Sequence, residues 1–186
     1  EFGYDGTFSE KLFMQKFNAD LANDLGNLVS RTLSMAEKYY GGDVPENKKP
    51  SDDNLKALAA ALPARAAKVF AGVDSCAVLK AIWDVVKTAN KYIEEKAPWK
   101  LAKSDADALA AVMYNLIQAI GLIAVTLYPF MPKTGQGIWQ QLGMPSDITS
   151  VKFSSPERND NLWGIIPPGS KINKSGPMFP RIEVSP

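Results

Sequence analysis

The chain has 186 residues, 46% of them hydrophobic and 22% charged, which suits one globular domain with its own core, or one domain plus an extension. Its 21 basic and 20 acidic side chains leave a net charge of +1, so any nucleic-acid site has to be a local patch. Histidine is absent and cysteine occurs once, which excludes Ser-His-Asp and Cys-His catalysis, histidine metal sites and an internal disulfide.

The remaining metal ligands are carboxylates scattered along helix faces, and no intrinsic metal site is expected. The lone thiol, Cys76, fits a reducing compartment and reads as a small buried residue on a helix. The chain does not open on a basic stretch followed by an apolar run, so no secretory signal is expected.

Thr7 with Glu10 forms a candidate capping box, and Ser9 is the alternative cap, ahead of "EKLFMQKF". A second helix is predicted from about Ala19 to Tyr40, closed by Gly41-Gly42. Leu21, Leu25, Leu28, Thr32, Met35 and Tyr39 recur at three- and four-residue spacings and define its buried stripe. Asn23, Asn27 and Arg31 run down another side at i, i+4, i+8. That side is polar yet only partly charged, which is unusual for a purely solvating face.

"GGDVPENKKPSDD" is a turn-rich linker with Ser51 as the next N-cap. "NLKALAAALPARAAKVFAG" is helical, with Pro63 a kink or restart. Asp74 or Ser75 caps a helix that sends Val78, Ile82, Val85, Val86, Ala89 and Ile93 to the core. Pro98 stops that helix, because the residue before a proline is pushed out of the α region. Next comes Trp99, with Lys91, Lys96, Lys100 and Lys103 around it: a large aromatic after a helix break, in local positive charge.

Ser104 with Asp107 opens a helix running to Tyr128. The stretch from Ala108 to Pro132 carries no charge and is long enough to span a bilayer. Tyr114, Asn115 and Gln118 interrupt it, so a central bundle helix fits better than a membrane segment. "MPKTGQGIWQQLG" gives one more short helix. The last 36 residues then hold six of the thirteen prolines and show no helical period. The predicted fold is all-α: a bundle of about five helices over residues 1–143, with an extended, proline-rich tail over 144–186.

The catalytic inventory is poor. No phosphate-cradling glycine loop or paired carboxylates stand out. "KINKS", Lys171 to Ser175, looks superficially like the KMSKS signature of class I aminoacyl-tRNA synthetases. It lies past every helix, and an exposed lysine-rich turn is the better reading.

Four stretches in order, "FNADLANDLGNLVSRTLSM", "ANKYIEEKAPWKLAK", "YPFMPKTGQGIWQQLG" and "PGSKINKSGPMFPRIE", resemble the C-terminal anticodon-binding domain of methionyl-tRNA synthetases and the tail behind it. The likeness runs from about Gly6 to Glu183, and the Asn-Leu-x-x-Arg and Pro-Trp motifs are specific when found together. The resemblance implies a ligase that uses ATP, with Mg, to attach methionine to its tRNA. That chemistry belongs to an upstream catalytic domain. Neither catalytic signature is present, so this chain alone is expected to be inactive and to hold no cofactor.

The same resemblance implies that Trp99 stacks on the first base of a CAU anticodon, with Pro98 beside it, and that Asn27 and Arg31 contact anticodon bases. Asn23 shares their stripe with weaker support, and the four lysines supply local charge. The partners implied are the anticodon stem-loop of methionine tRNA and the upstream catalytic domain. The tail would pack on the bundle or on that domain. No membrane is implied, and the compartment is a bacterial cytoplasm, or else an organelle.

Other readings stay open from sequence. Trp99 could be a packing residue between helix ends, with Trp83, Trp139 and Trp163 assigned to core or tail packing. Asn27 could bond a neighbouring helix, Arg31 could pair with Asp24 or Glu37, and the lysines could be a solvated face. The rival functions are the anticodon domain of another class I synthetase, and a helical protein-interaction domain that binds no RNA.

Overall fold

The computed structural model describes residues 8–49, 53–72, 74–151 and 162–183. Among these the only regular structure is helical, with one isolated antiparallel bridge between Asp43 and Lys171. The two helices predicted at the N-terminus are one continuous rod. Helix α1, Glu10–Lys16, runs into a π-helical stretch, Phe17–Gly26, and then into α2, Asn27–Tyr40. The backbone stays right-handed helical at Phe17 (φ −56°, ψ −50°) and at Asn27 (φ −66°, ψ −42°), so the chain never breaks there. Sequence spacing alone did not reveal the widened turns, which keep one axis while changing which residues share a face.

Ser9 caps the rod, its Oγ accepting from the Leu12 amide at 3.3 Å. Thr7 lies outside the described residues. The far end closes as expected at Gly41, in the left-handed conformation. The predicted apolar stripe is present, with Leu25, Leu28 and Thr32 buried and Leu21, Met35 and Tyr39 half-buried; Val29, Leu33 and Ala36 widen it.

Helix α3, Asn54–Ala71, continues through Pro63. The expected cap Ser51 falls outside the described residues. Asp53 is the cap, taking the Lys56 amide at 2.9 Å on Oδ1. Its Oδ2 also accepts from the Tyr92 hydroxyl at 2.7 Å and from Asn115 Nδ2 at 3.0 Å, which ties three helices together.

Helix α4, Ser75–Lys96, is capped by Asp74 and buries all six of its predicted core residues. Cys76 departs from expectation: it lies in the first turn of α4, on the outer side, and is exposed.

The uncharged segment forms α6, Ala106–Leu127, capped by Asp105 rather than Ser104. Aspartate at 105 sits one residue before the first helical turn, whereas Ser104 Oγ donates back to the Lys100 carbonyl at 3.2 Å. By length and hydropathy α6 could cross a membrane, but 83% of its apolar span is buried inside the bundle. It packs against α2, α3, α4, α5 and α7. Leu116, Ile117, Ile120, Leu122, Ile123 and Leu127 are fully buried, and each contributes about 1.5–3 kcal/mol over an exposed position.

The last long element is α7, Pro132–Gln141. Trp139 is buried at its end and donates Nε1–H to the Ser146 carbonyl at 3.1 Å; Trp83 and Trp163 are half-buried against the core.

The proline-rich segment is held at several points. Gln118, buried on α6, donates Nε2–H to the Ile166 carbonyl at 2.6 Å and accepts its amide at 3.0 Å. Gly121 makes room for Ile166, since a Cβ there would lie 2.9 Å from the Ile166 side chain. "KINKS" is no free turn. The Lys171 ammonium reaches the Gly41 carbonyl at 2.8 Å and Asp43 at 2.9 Å, Ile172 is buried, and the Asn173 amide donates to the Gln141 carbonyl at 2.9 Å. Beyond it the tail runs antiparallel to the long rod, with Lys174 opposite Glu37, Arg181 opposite Asn23 and Ile182 opposite Asn18.

Candidate nucleic-acid interface

The site begins with the break after α4. Pro98 excludes the right-handed helical region at Ala97, which adopts φ +45°, ψ +64°, the one non-glycine left-handed residue among those described. The Ala97 amide still closes α4 on the Ile93 carbonyl at 3.0 Å, and its own carbonyl accepts from Lys100 at 2.7 Å to start a new helix. That helix, α5 (Pro98–Ser104), had no counterpart in the sequence reading, because seven residues are too few for a periodic signal. It packs on α6, with Pro98 at its first position and buried, and with Leu101 half-buried against the core. Trp99 is therefore in a helical first turn rather than a loop, and its side chain is 39% exposed.

Pro98, although expected beside the anticodon, has its ring turned inward. Its part in the geometry is to fix the turn that aims Trp99.

Asn23, Asn27 and Arg31 come from the rod. Asn27 is exposed and bonds no neighbouring helix among the described residues. Asn23 is exposed too, and its Oδ1 accepts from Arg181 Nη2 at 2.8 Å. Arg31 pairs with Glu94 at 2.7 Å, not with Asp24 or Glu37. Glu37 instead faces Lys174 at 3.8 Å. Asp24 stays near Lys87 but is partly buried beside Asp20, and burial pushes its pKa up.

The rod and α4 run side by side. Asn90 Nδ2 donates to the Asp24 carbonyl at 3.1 Å, and the Arg31–Glu94 pair follows one turn later on α4. This brings Arg31 to the last turn of α4, five residues before Trp99. No hydrogen bond or ring contact among the described residues joins Trp99 directly to the asparagine stripe.

The lysines divide. Lys91 pairs with Glu95 at 3.2 Å, and Lys96 lies over the Tyr92 ring at 5.4 Å. Lys100 and Lys103 are exposed on α5 beside Trp99. Two cations next to one aromatic face suit a stacked base with its flanking phosphates.

The sequence reading missed Glu94, Asn18 and Arg181. Asn18 brackets the Ile182 backbone, donating to its carbonyl at 2.8 Å and accepting its amide at 2.9 Å. Nothing local marks these residues, since each partner lies more than sixty positions away in sequence. Between Asn23, Asn27 and Ser30 on the rod and Pro177, Phe179 and Arg181 on the tail lies an open groove of about 520 Å³.

Comparison with known proteins fits this arrangement. The family model described as the anticodon binding domain of methionyl tRNA ligase matches residues 44–185. The methionine–tRNA ligase of Clostridium acetobutylicum is 41% identical over 187 residues, covering 98% of this chain and 28% of that protein. The apo crystal structure of Mycobacterium tuberculosis methionyl-tRNA synthetase superposes with a TM-score of 0.83 at 29% identity, covering 98% of this chain and 36% of that one. A structure of the same enzyme bound by methionyl-adenylate gives a TM-score of 0.81 at 30% identity, over 96% of this chain and 35% of that chain. This chain thus spans less than a third of the length of the Clostridium relative. These matches favour the methionyl system over other class I synthetases and over an interaction domain without RNA. The chain belongs to the anticodon-binding domain family of methionyl-tRNA ligases.

Proposed function

We propose that this chain reads the CAU anticodon of methionine tRNA as part of a methionine–tRNA ligase. The observation that carries the reading is the half-exposed Trp99, aimed outward by a left-handed residue and a buried proline, with Lys100 and Lys103 beside it. RNA loops are read by splaying bases onto aromatic faces and hydrogen-bonding their edges. Trp99 stacks the first anticodon base. Arg31 and Asn27 offer donors, and Asn27 also an acceptor, to base edges. Lys91, Lys96, Lys100 and Lys103 supply local positive charge, and Asn23 supports the stripe from its edge.

The ligase as a whole activates methionine with ATP and Mg in an upstream catalytic domain and transfers it to the bound tRNA, in the cytoplasm. This chain contributes recognition only.

The test is binding of the chain to an RNA stem-loop carrying CAU and to a matched loop with the first anticodon base changed. Trp99→Ala should lose about 1–3 kcal/mol of affinity for the CAU loop, along with the preference for it. Its circular dichroism should stay unchanged. Equal binding of both loops by the unaltered chain would reduce the site to nonspecific charge. Unfolding of Trp99→Ala would make the residue structural.

A further inference from the structure

The tail segment beside the asparagine stripe is anchored at both ends of its contact with the rod. Asn18 holds the Ile182 backbone by two hydrogen bonds, and Phe179 packs edge-on against Phe17 with ring centroids 6.1 Å apart. Between these anchors the Arg181 side chain is exposed and swings back to Asn23, its one hydrogen bond among the described residues. Arginine carries five N–H donors, so four remain for another acceptor. Arg181 is also the single charged residue lining the groove, and no carboxylate lines it. A polar cleft with one fixed guanidinium and exposed amides suits an anionic backbone with its bases turned toward Asn27.

We propose that the tail forms the second wall of the anticodon-loop site, and that Arg181 takes an RNA phosphate there while Asn23 holds its guanidinium in place. Asn23 is then a positioning residue rather than a base reader. The proposal rests on the anticodon-binding reading, and Arg181 adds affinity without sequence preference, because phosphate contacts carry no base information.

The experiment measures affinity of the chain for both stem-loops over a series of salt concentrations, with Arg181→Met, Arg181→Lys and Asn23→Ala. Arg181→Met should weaken both loops equally, by about tenfold at low salt. It should also flatten the dependence of log K on log salt by about 0.7, the share of one single-stranded phosphate. Arg181→Lys should restore the slope. Asn23→Ala should weaken binding with the slope unchanged, since the cation remains.

If Arg181→Met leaves affinity and slope unaltered while the CAU preference persists, the inference fails and the anticodon reading stands. A loss of affinity with no change of slope, together with a lowered Tm, would make Arg181 a clamp for the tail and overturn the proposal as well. Failure of the unaltered chain to distinguish the two loops would overturn both readings.

Discussion

Arg31 Nη2 lies 2.7 Å from Glu94 Oε1, joining the long N-terminal rod to the last turn of α4. Both side chains are substantially exposed, so the pair contributes about 1 kcal/mol at most and gives way to a competing ligand. Glu94 thereby parks Arg31 at the edge of the tryptophan face and keeps its fork ordered before RNA arrives.

Glu94→Gln is expected to raise affinity for the CAU loop by up to about fivefold, because RNA no longer displaces a carboxylate. Titration of the variant against the stem-loop checks this. An affinity drop would mean that Glu94 orients Arg31 for binding rather than competing for it.

Ala97 carries the strain of the turn into α5 at φ +45°. An L-residue in the left-handed region costs about 1–2 kcal/mol, and glycine avoids it while losing about 0.4–1 kcal/mol to a freer unfolded chain. Ala97→Gly should therefore raise Tm slightly, and Ala97→Val should lower it, because a β-branched residue tolerates positive φ worst. The order Gly, Ala, Val in thermal unfolding is the readout.

Asp24 has a pKa pushed up, chiefly by burial, further by the charge of Asp20, and opposed by Lys87. A carboxyl whose folded pKa exceeds its unfolded one favours folding most when protonated. Its stabilising contribution is fully present below the ordinary value of 3.8 and is lost as pH rises through the raised value. Asp24→Asn should then raise Tm at neutral pH, with the gain vanishing below 3.8. Unfolding followed over pH tests it.

Gln118 is buried and makes both of its hydrogen bonds to Ile166. Gln118→Ala strands a buried amide and carbonyl, at a cost of about 1–3 kcal/mol for each group left unpaired. At roughly 2–4 °C per kcal/mol for a chain of this size, the Tm should fall clearly. Hydrogen exchange should show the Ile166 amide losing protection first.

The sequence by itself determined the helices that bury a continuous face. Val78 to Ile93 and the uncharged run of α6 could be read because periodicity and hydropathy are local properties, written over many residues. It also determined the stop after α4, since Pro98 acts on its immediate neighbour. The motifs around Trp99 and Arg31 were enough to indicate the family.

Tertiary structure alone decided how these pieces meet. A π-helical stretch fused two predicted helices, since a change in turn width leaves no mark on residue type. Asp53 displaced Ser51 from the expected role because Tyr92 and Asn115 converge on its carboxylate from other helices. Arg31 found Glu94 across sixty-three positions, and Arg181 found Asn23 across 158. Such pairings follow from packing the rod against α4 and laying the tail along the rod. Side chains that meet only by folding carry no signature in the order of the residues.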